Sequence, residues 1–121
     1  MSSKSLNQIH IELLELHKAL LEFEKRKYEV LYGKIDNPYT YLDIVMKHPT
    51  FAWLRILSEA IVTTDGLEKE ENQKQDFEIK KSIKNLLTAN EKNVSFTEKY
   101  LVALQESPEI AYAHGKVMKL L

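Results

Sequence analysis

The sequence predicts an all-α protein: a bundle of five or six helices, with a long first helix and a buried third helix at its centre. The chain has 121 residues but only three Gly and three Pro, less than half of their usual combined share of about 12%. Folds built from strands need more turn residues than that. Residues 6–32 contain neither Gly nor Pro, and their apolar residues recur every three or four positions, as on one face of a helix.

The composition also bounds the class of protein. At this length we expect a single domain, residues 1–121, that buries a core of its own. The chain has no Cys, which excludes disulfides, thiolate metal sites and a cysteine nucleophile. No signal-peptide core or membrane span is evident, so a soluble, cytoplasmic protein is expected. A net charge of −1 argues against broad contact with nucleic acid.

The first helix carries two apolar stripes and is expected to end at Gly33. Two stripes make a face wider than one neighbouring helix can cover, so we expect this helix to contact two or more neighbours. The first stripe contains Leu6, Ile9, Leu13, Leu16, Leu20, Phe23 and Val30. The second contains His10, Leu14, His17, Leu21, Glu24, Tyr28 and Leu31.

Proline marks the next two helices. Asn37-Pro38 is typical of a helix start, and a short second helix is expected over 39–47, with Tyr41, Leu42, Val45 and Met46 on one face. His48-Pro49 ends it. The third helix is predicted from Pro49 to Thr64 and is apolar nearly all round, which is typical of a buried helix. A strand over the β-branched residues 61–64 is the alternative.

The rest of the chain alternates polar segments with helices. A polar, mobile connection is expected at about 67–76, then a helix whose inner face is Ile79, Ile83, Leu86 and Leu87, then a loop over 90–93. Ser95 to Glu98 matches a capping box before a helix that runs through Gln105. Ser107-Pro108-Glu109 begins the last helix, whose apolar face includes Ile110, Ala113, His114 and Val117.

Histidine spacing suggests a metal site but does not complete one. His10, His17 and Glu24 are seven residues apart and so share one helix face. Seven residues span about 10.5 Å along a helix, however, so one ion cannot be held by two of them. We therefore predict no metal and no cofactor, with His10 and His17 as the residues that could donate a ligand alongside other helices. The alternative is that these histidines form hydrogen bonds at the edge of the core.

Arg55 lies in a stretch that otherwise looks buried, and a buried guanidinium needs an acidic partner. Glu59 and Glu24 are the candidate partners. Together His17, Glu24 and Arg55 could form a pocket for an anionic ligand, or a closed ion pair that fixes helix register. Trp53 is either a core residue or a binding anchor.

These patterns favour a non-catalytic interaction module over an enzyme. No nucleophile motif or phosphate-binding glycine loop is present. The basic run at 25–27 is flanked by Glu22, Glu24 and Glu29, which favours a solvated helix face of mixed charge. Lys80, Lys81 and Lys84 lack interleaved aromatic residues, so nucleic-acid binding is not expected there either. The wide face of the first helix predicts a homodimer or a complex with another protein, with Leu13, Leu20 and Trp53 as interface candidates. The alternative is a small-ligand or metal-binding bundle using His17, Glu24 and Arg55.

Two segments resemble a family of small uncharacterised bacterial helical proteins, over about residues 10–65. The first contains His17-Lys18-Ala19-Leu20-Leu21, Glu24, Tyr28-Glu29 and Gly33, and the second is the run HPTFAWLRILS from His48 to Ser58. After Asp65 the family continues with a further acidic residue, where this chain has Gly66. The resemblance implies bacterial origin and a cytoplasmic location, and brings no activity with it.

Overall fold

The computed structural model describes residues 2–64, 73–88 and 94–121. Within these ranges all regular structure is helical, which confirms the predicted all-α bundle. The helices are α1 (Ser2–Tyr32), α2 (Pro38–Lys47), α3 (Pro49–Ala52), α4 (Arg55–Thr64), α5 (Gln73–Leu87), α6 (Val94–Glu106) and α7 (Pro108–Met118).

The long first helix lies at the centre of the bundle, as predicted. Four of its apolar residues are fully buried: Ile9, Leu13, Leu16 and Leu20. α1 packs against α3, α4, α5 and α7, so its wide apolar face serves several neighbours. The helix ends at Gly33, which takes a positive φ of 98° and donates its N–H to the Glu29 carbonyl at 2.9 Å.

Both predicted stripes of α1 extend further than the buried surface does. Leu14 is about half exposed, and Val30 and Leu31 at the end of the helix lie mostly in solvent. Burial on the first stripe is complete only as far as Leu20, and Phe23 is partly buried. The surface of α1 that neighbouring helices cover therefore ends before the two apolar stripes do.

The start of α2 is as predicted. The Asn37 side chain caps the helix by accepting a hydrogen bond from the Thr40 N–H at 2.8 Å, with Pro38 in the first turn. His48 ends α2 and caps α3, because its Nδ1 accepts from the Thr50 N–H at 3.1 Å. Helical structure continues through Thr64, so the strand alternative for 61–64 is wrong.

The predicted third helix is interrupted at Trp53 and Leu54, which form a turn between α3 and α4. Phe51, Trp53, Leu54 and Leu57 are all buried. In a continuous helix Phe51 and Trp53 would point about 160° apart, towards nearly opposite sides. The chain changes direction at the turn, so both side chains reach the core. This explains why the predicted third helix is divided into α3 and α4.

The later helices follow the sequence with one correction. Ile79, Ile83, Leu86 and Leu87 of α5 are buried, as expected. Ser107 caps α7 by accepting from the Ile110 N–H at 3.3 Å. α6 begins at Val94, so Ser95 lies in its first turn rather than at the predicted cap. Of the polar connection at 67–76, residues 73–76 belong to α5, and 67–72, like the loop at 90–93, lie outside the described residues.

None of the described helices is long and apolar enough to cross a membrane.

Candidate functional site

Two histidines of α1 form hydrogen bonds with hydroxyl groups of α4. His10 Nδ1 lies 2.8 Å from Thr64 Oγ1, and His17 Nε2 lies 2.9 Å from Ser58 Oγ. The Thr64 hydroxyl donates to the Ile61 carbonyl at 2.7 Å, so it accepts from the His10 N–H. The two bonds fix the register of two antiparallel helices, in agreement with the alternative of hydrogen-bonded histidines at the core edge.

The His17–Ser58 pair has the spacing of a base and a nucleophile but lacks the rest of a catalytic group. Burial lowers the pKa of His17, which keeps the imidazole neutral and able to accept a proton. A catalytic pair also needs a third group that orients the base. In the described part of the chain no carboxylate bonds to His17, and neither His17 nor Ser58 lines the cleft described below. What the pair does in the structure is join α1 to α4 through this hydrogen bond.

Arg55 is exposed, so the prediction that it is buried beside an acid is wrong. Its guanidinium donates to the backbone carbonyl of Met46 in the last turn of α2, where helix carbonyls lack partners of their own. Arg55 lies on the exposed side of α4, whose buried residues are Leu57, Ile61 and Thr64. The Arg55 side chain connects α2 to α4, and it forms no ion pair with Glu24 or Glu59 within the described residues.

His17, Glu24 and Arg55 consequently do not converge on one site. His17 bonds to Ser58, Arg55 bonds to the end of α2, and Glu24 lies in a separate cleft. The predicted pocket built from all three, and the closed ion pair offered as its alternative, are both wrong. Glu24 and Trp53 do lie together in that cleft, and their role in binding stays a prediction.

The cleft lies between α1, α6 and the segment formed by α3 and the turn after it. Its volume is about 420 Å³. We call it the α1–α6 cleft. Its apolar and aromatic lining comes from Phe23, Tyr28, Leu31, Trp53 and Val102. Its charged lining comes from Glu24, Lys27, Glu98 and Lys99. Cavities of about 300–1,000 Å³ with apolar walls and a few polar groups are typical of small-molecule sites.

Glu24 is the buried charge of this cleft. Its side chain is 9% exposed, and no ion pair or well-aligned hydrogen bond to it is present among the described residues. Burial raises the pKa of Glu24, while Lys27, the Trp53 indole N–H and Lys99 oppose that shift. Trp53 Nε1 is itself buried and makes no well-aligned hydrogen bond within the described residues. A carboxylate and an indole N–H thus face one another without satisfying either group fully.

The two lysines at the cleft differ in their partners. Lys27 Nζ lies 3.3 Å from a Glu106 carboxylate oxygen and 4.4 Å from the centre of the Phe23 ring. Lys99 has no ion-pair partner within the described ranges, and its side chain is exposed. Lys99, Glu98 and Val102 come from α6, far from Glu24 in sequence, and no pattern in the sequence indicated that they line a site.

A second surface feature is the outer face of α2, formed by Tyr39, Leu42 and Met46. These side chains are 86%, 58% and 61% exposed. Their i, i+3, i+7 spacing puts them on one side of the helix. Tyr41, Ile44 and Val45 face the core instead. The predicted single face of Tyr41, Leu42, Val45 and Met46 is therefore divided between two sides of α2.

The predicted interface residues lie inside the molecule. Leu13 and Leu20 are fully buried and Trp53 nearly so, because α4 and α7 pack along α1 and α6 contributes Phe96, whose ring centre lies 5.4 Å from that of Trp53. Leu13 and Leu20 have no accessible surface through which to contact another molecule, so naming them as interface residues was wrong. Trp53 lines the α1–α6 cleft, and its place in an interface stays a prediction. Large apolar side chains are exposed on the outer face of α2 and also elsewhere, including Val30, Leu31 and Tyr32 at the end of α1.

No group of three or more His, Asp or Glu side chains within the described residues is placed to hold a metal ion. His10 and His17, the two candidate ligands, each use one ring nitrogen for a hydroxyl of α4.

Compared with models of protein families, with curated proteins and with solved structures, the chain matches none of them. The resemblance to a family of small bacterial proteins, with the origin and location that it implies, therefore stays a prediction.

Proposed function

We propose that this chain is a non-catalytic helical interaction module that self-associates through the outer face of α2. The observation that carries the proposal is the exposure of Tyr39, Leu42 and Met46, each more than half exposed on one side of one helix. Grouped apolar side chains on a protein surface mark sites of contact with partners.

The setting of α2 supports this choice of surface. None of its ten residues is buried, although six of them are apolar or aromatic. Its inner residues, Tyr41, Ile44 and Val45, are partly covered by the bundle, and the Arg55 side chain holds its last turn. α2 is thus anchored on one side and free on the other.

A second copy of the same face is the partner that fits best. Two α2 helices crossing antiparallel about a two-fold axis near Leu42 would place Tyr39 of each copy against Met46 of the other, as an isologous interface requires. Asp43 and Lys47 border the face and form an ion pair at 2.8 Å. Because each copy neutralises its own pair, two copies meet without like-charge repulsion.

The size of the face predicts a weak dimer. Burying the exposed part of each side chain contributes roughly 1–2 kcal/mol, or roughly 6–12 kcal/mol for the six side chains of two copies. Association costs about 4–15 kcal/mol of free energy, because two copies lose translational and rotational freedom. The two terms are of similar size, so the dimer should form in a concentration-dependent way.

Sedimentation velocity of the full chain, from about 10 μM to about 1 mM, tests the proposal. We expect the weight-average mass to rise from monomer towards dimer over this range. Leu42→Glu should keep the chain monomeric throughout, because a buried carboxylate would face its own copy across the axis. Leu101→Glu, a matched change at an exposed leucine of α6, should leave the dimer intact.

The proposal fails if the wild-type chain stays monomeric at every concentration. It also fails if Leu101→Glu abolishes the dimer as fully as Leu42→Glu does, since the contact would then not be specific to α2.

A further inference from the structure

We propose that the α1–α6 cleft binds a zwitterionic amphipathic small molecule of the free hydrophobic α-amino acid class, with its ammonium group on Glu24 and its carboxylate on Lys99. This site is separate from the α2 outer face and does not depend on self-association.

The first support is the state of Glu24. Its side chain is nine-tenths buried, lines the cleft and lacks an ion-pair partner among the described residues. A buried carboxylate without an ion-pair partner is unfavourable, and buried charges in folded proteins are usually paired. An ammonium group entering the cleft would supply the missing partner with up to three N–H donors.

The second support is the balance of charge around the cleft. Its lining contains two acids, Glu24 and Glu98, and two lysines, Lys27 and Lys99. A ligand with only a positive charge would be repelled by the lysines, and a ligand with only a negative charge would be repelled by Glu24. Because Lys27 is held by Glu106, Lys99 is the ammonium group available to a ligand carboxylate. A molecule that carries both charges matches both ends of the site.

The third support is the apolar lining of the cleft. Phe23, Tyr28, Leu31 and Val102 line the cleft and offer an apolar surface for an aliphatic or aromatic side chain. The volume of about 420 Å³ lies in the range of small-molecule sites. These residues favour a hydrophobic amino acid over a polar one.

Binding at this site can be followed by the NMR resonance of one side chain. Trp53 is its one tryptophan, and its indole lines the cleft beside Glu24. The indole N–H resonance in a ¹H–¹⁵N spectrum therefore comes from one residue. We expect L-phenylalanine to shift this resonance in a saturable way.

Two analogues test the need for both charges. 3-Phenylpropionate lacks the ammonium group and 2-phenylethylamine lacks the carboxylate. Each should bind at least about 10-fold more weakly than L-phenylalanine, the loss expected for one charge-assisted hydrogen bond. No shift with L-phenylalanine, or equal binding of either analogue, would overturn the proposal.

Variants locate the two charges on the protein. Glu24→Gln and Lys99→Met should each weaken L-phenylalanine binding about 10-fold or more. Glu15→Gln, on the same helix outside the cleft, and Lys84→Met on α5 are the matched controls and should bind like wild type. Lys99 is exposed, so Lys99→Met should fold even if Glu24→Gln does not. Unchanged L-phenylalanine binding by Lys99→Met would therefore refute the site.

The Leu42→Glu chain separates this proposal from the first. It removes the proposed dimer contact and leaves the cleft intact, so L-phenylalanine should bind it as it binds wild type. Loss of binding in that variant would contradict a site contained within one copy of the chain.

Discussion

At the scale of single residues, each of the four histidines forms a hydrogen bond with a neighbouring group. His10 and His17 bond to hydroxyls of α4, His48 accepts from a backbone N–H, and His114 Nδ1 lies 2.6 Å from the Tyr100 hydroxyl oxygen. Burial lowers the pKa of both His17 and His114. The folded chain therefore favours the neutral form of these two side chains, which gives its stability a dependence on pH.

We expect His17 to make the protein less stable in mild acid. In the unfolded chain His17 binds a proton near its ordinary pKa of 6.5, and in the folded chain its pKa is lower. Between these two values the unfolded state holds more protons, so the free energy of unfolding falls as the pH drops and levels off below the folded pKa. Urea denaturation over pH values from about 5 to about 8 measures this.

The His17→Gln chain is the comparison for this prediction. Glutamine keeps a neutral hydrogen-bonding group opposite Ser58 but does not titrate. The difference in unfolding free energy between wild type and variant should shrink as the pH falls below 6.5. A difference that stays constant over the whole range would show that the buried imidazole does not contribute to acid sensitivity.

At the scale of helices, α1 organises the bundle by the alternation of covered and uncovered leucines. Leu13 is 0% exposed and its neighbour Leu14 is 46% exposed, so the helices that pack against α1 cover Leu13 fully and Leu14 only in part. Two adjacent leucines of the same helix thus differ in burial alone.

Truncating these two leucines should separate burial from helix propensity. We expect Leu13→Ala to lower the free energy of unfolding by about 2–5 kcal/mol, through lost burial and a cavity. Leu14→Ala should change it by about 0.5 kcal/mol or less. Chemical denaturation of both variants measures the contrast, and similar losses for the two would contradict the assignment of Leu13 to the core.

The sequence predicted most helix boundaries because their causes are local. Asn37 and Ser107 cap helices with their own side chains, and Gly33 permits the positive φ that ends α1. The break between α3 and α4 was not predicted, because it depends on Phe51 and Trp53 both reaching a core formed by other helices. The exposure of Arg55 was missed because nearly all of its neighbours in the sequence are apolar, and which side of α4 is covered depends on the other helices.

At the scale of the whole molecule, both proposed binding surfaces lie at the end of the bundle around Tyr28. This residue lines the α1–α6 cleft, and its ring centre lies 5.0 Å from that of His48, the residue that ends α2. The sequence identified Glu24 and Trp53 as candidates because an acid on an inner stripe and a lone tryptophan are visible locally. It could not identify Lys99, whose place beside Glu24 depends on how α6 packs against α1.

The central claim is that two copies meet through α2 near Leu42, and disulfide trapping tests it most directly. The chain has no Cys, so Leu42→Cys carries a single thiol. Disulfide formation needs Cα atoms within about 7 Å of one another, a distance that two α2 helices crossing at this residue can reach.

Mild oxidation of the Leu42→Cys chain should give a covalent dimer, while Leu101→Cys, at the exposed leucine of α6, should stay monomeric under the same conditions. Non-reducing electrophoresis reads the result. If Leu42→Cys stays monomeric, or if Leu101→Cys is trapped as readily, the outer face of α2 is not where copies of this chain meet.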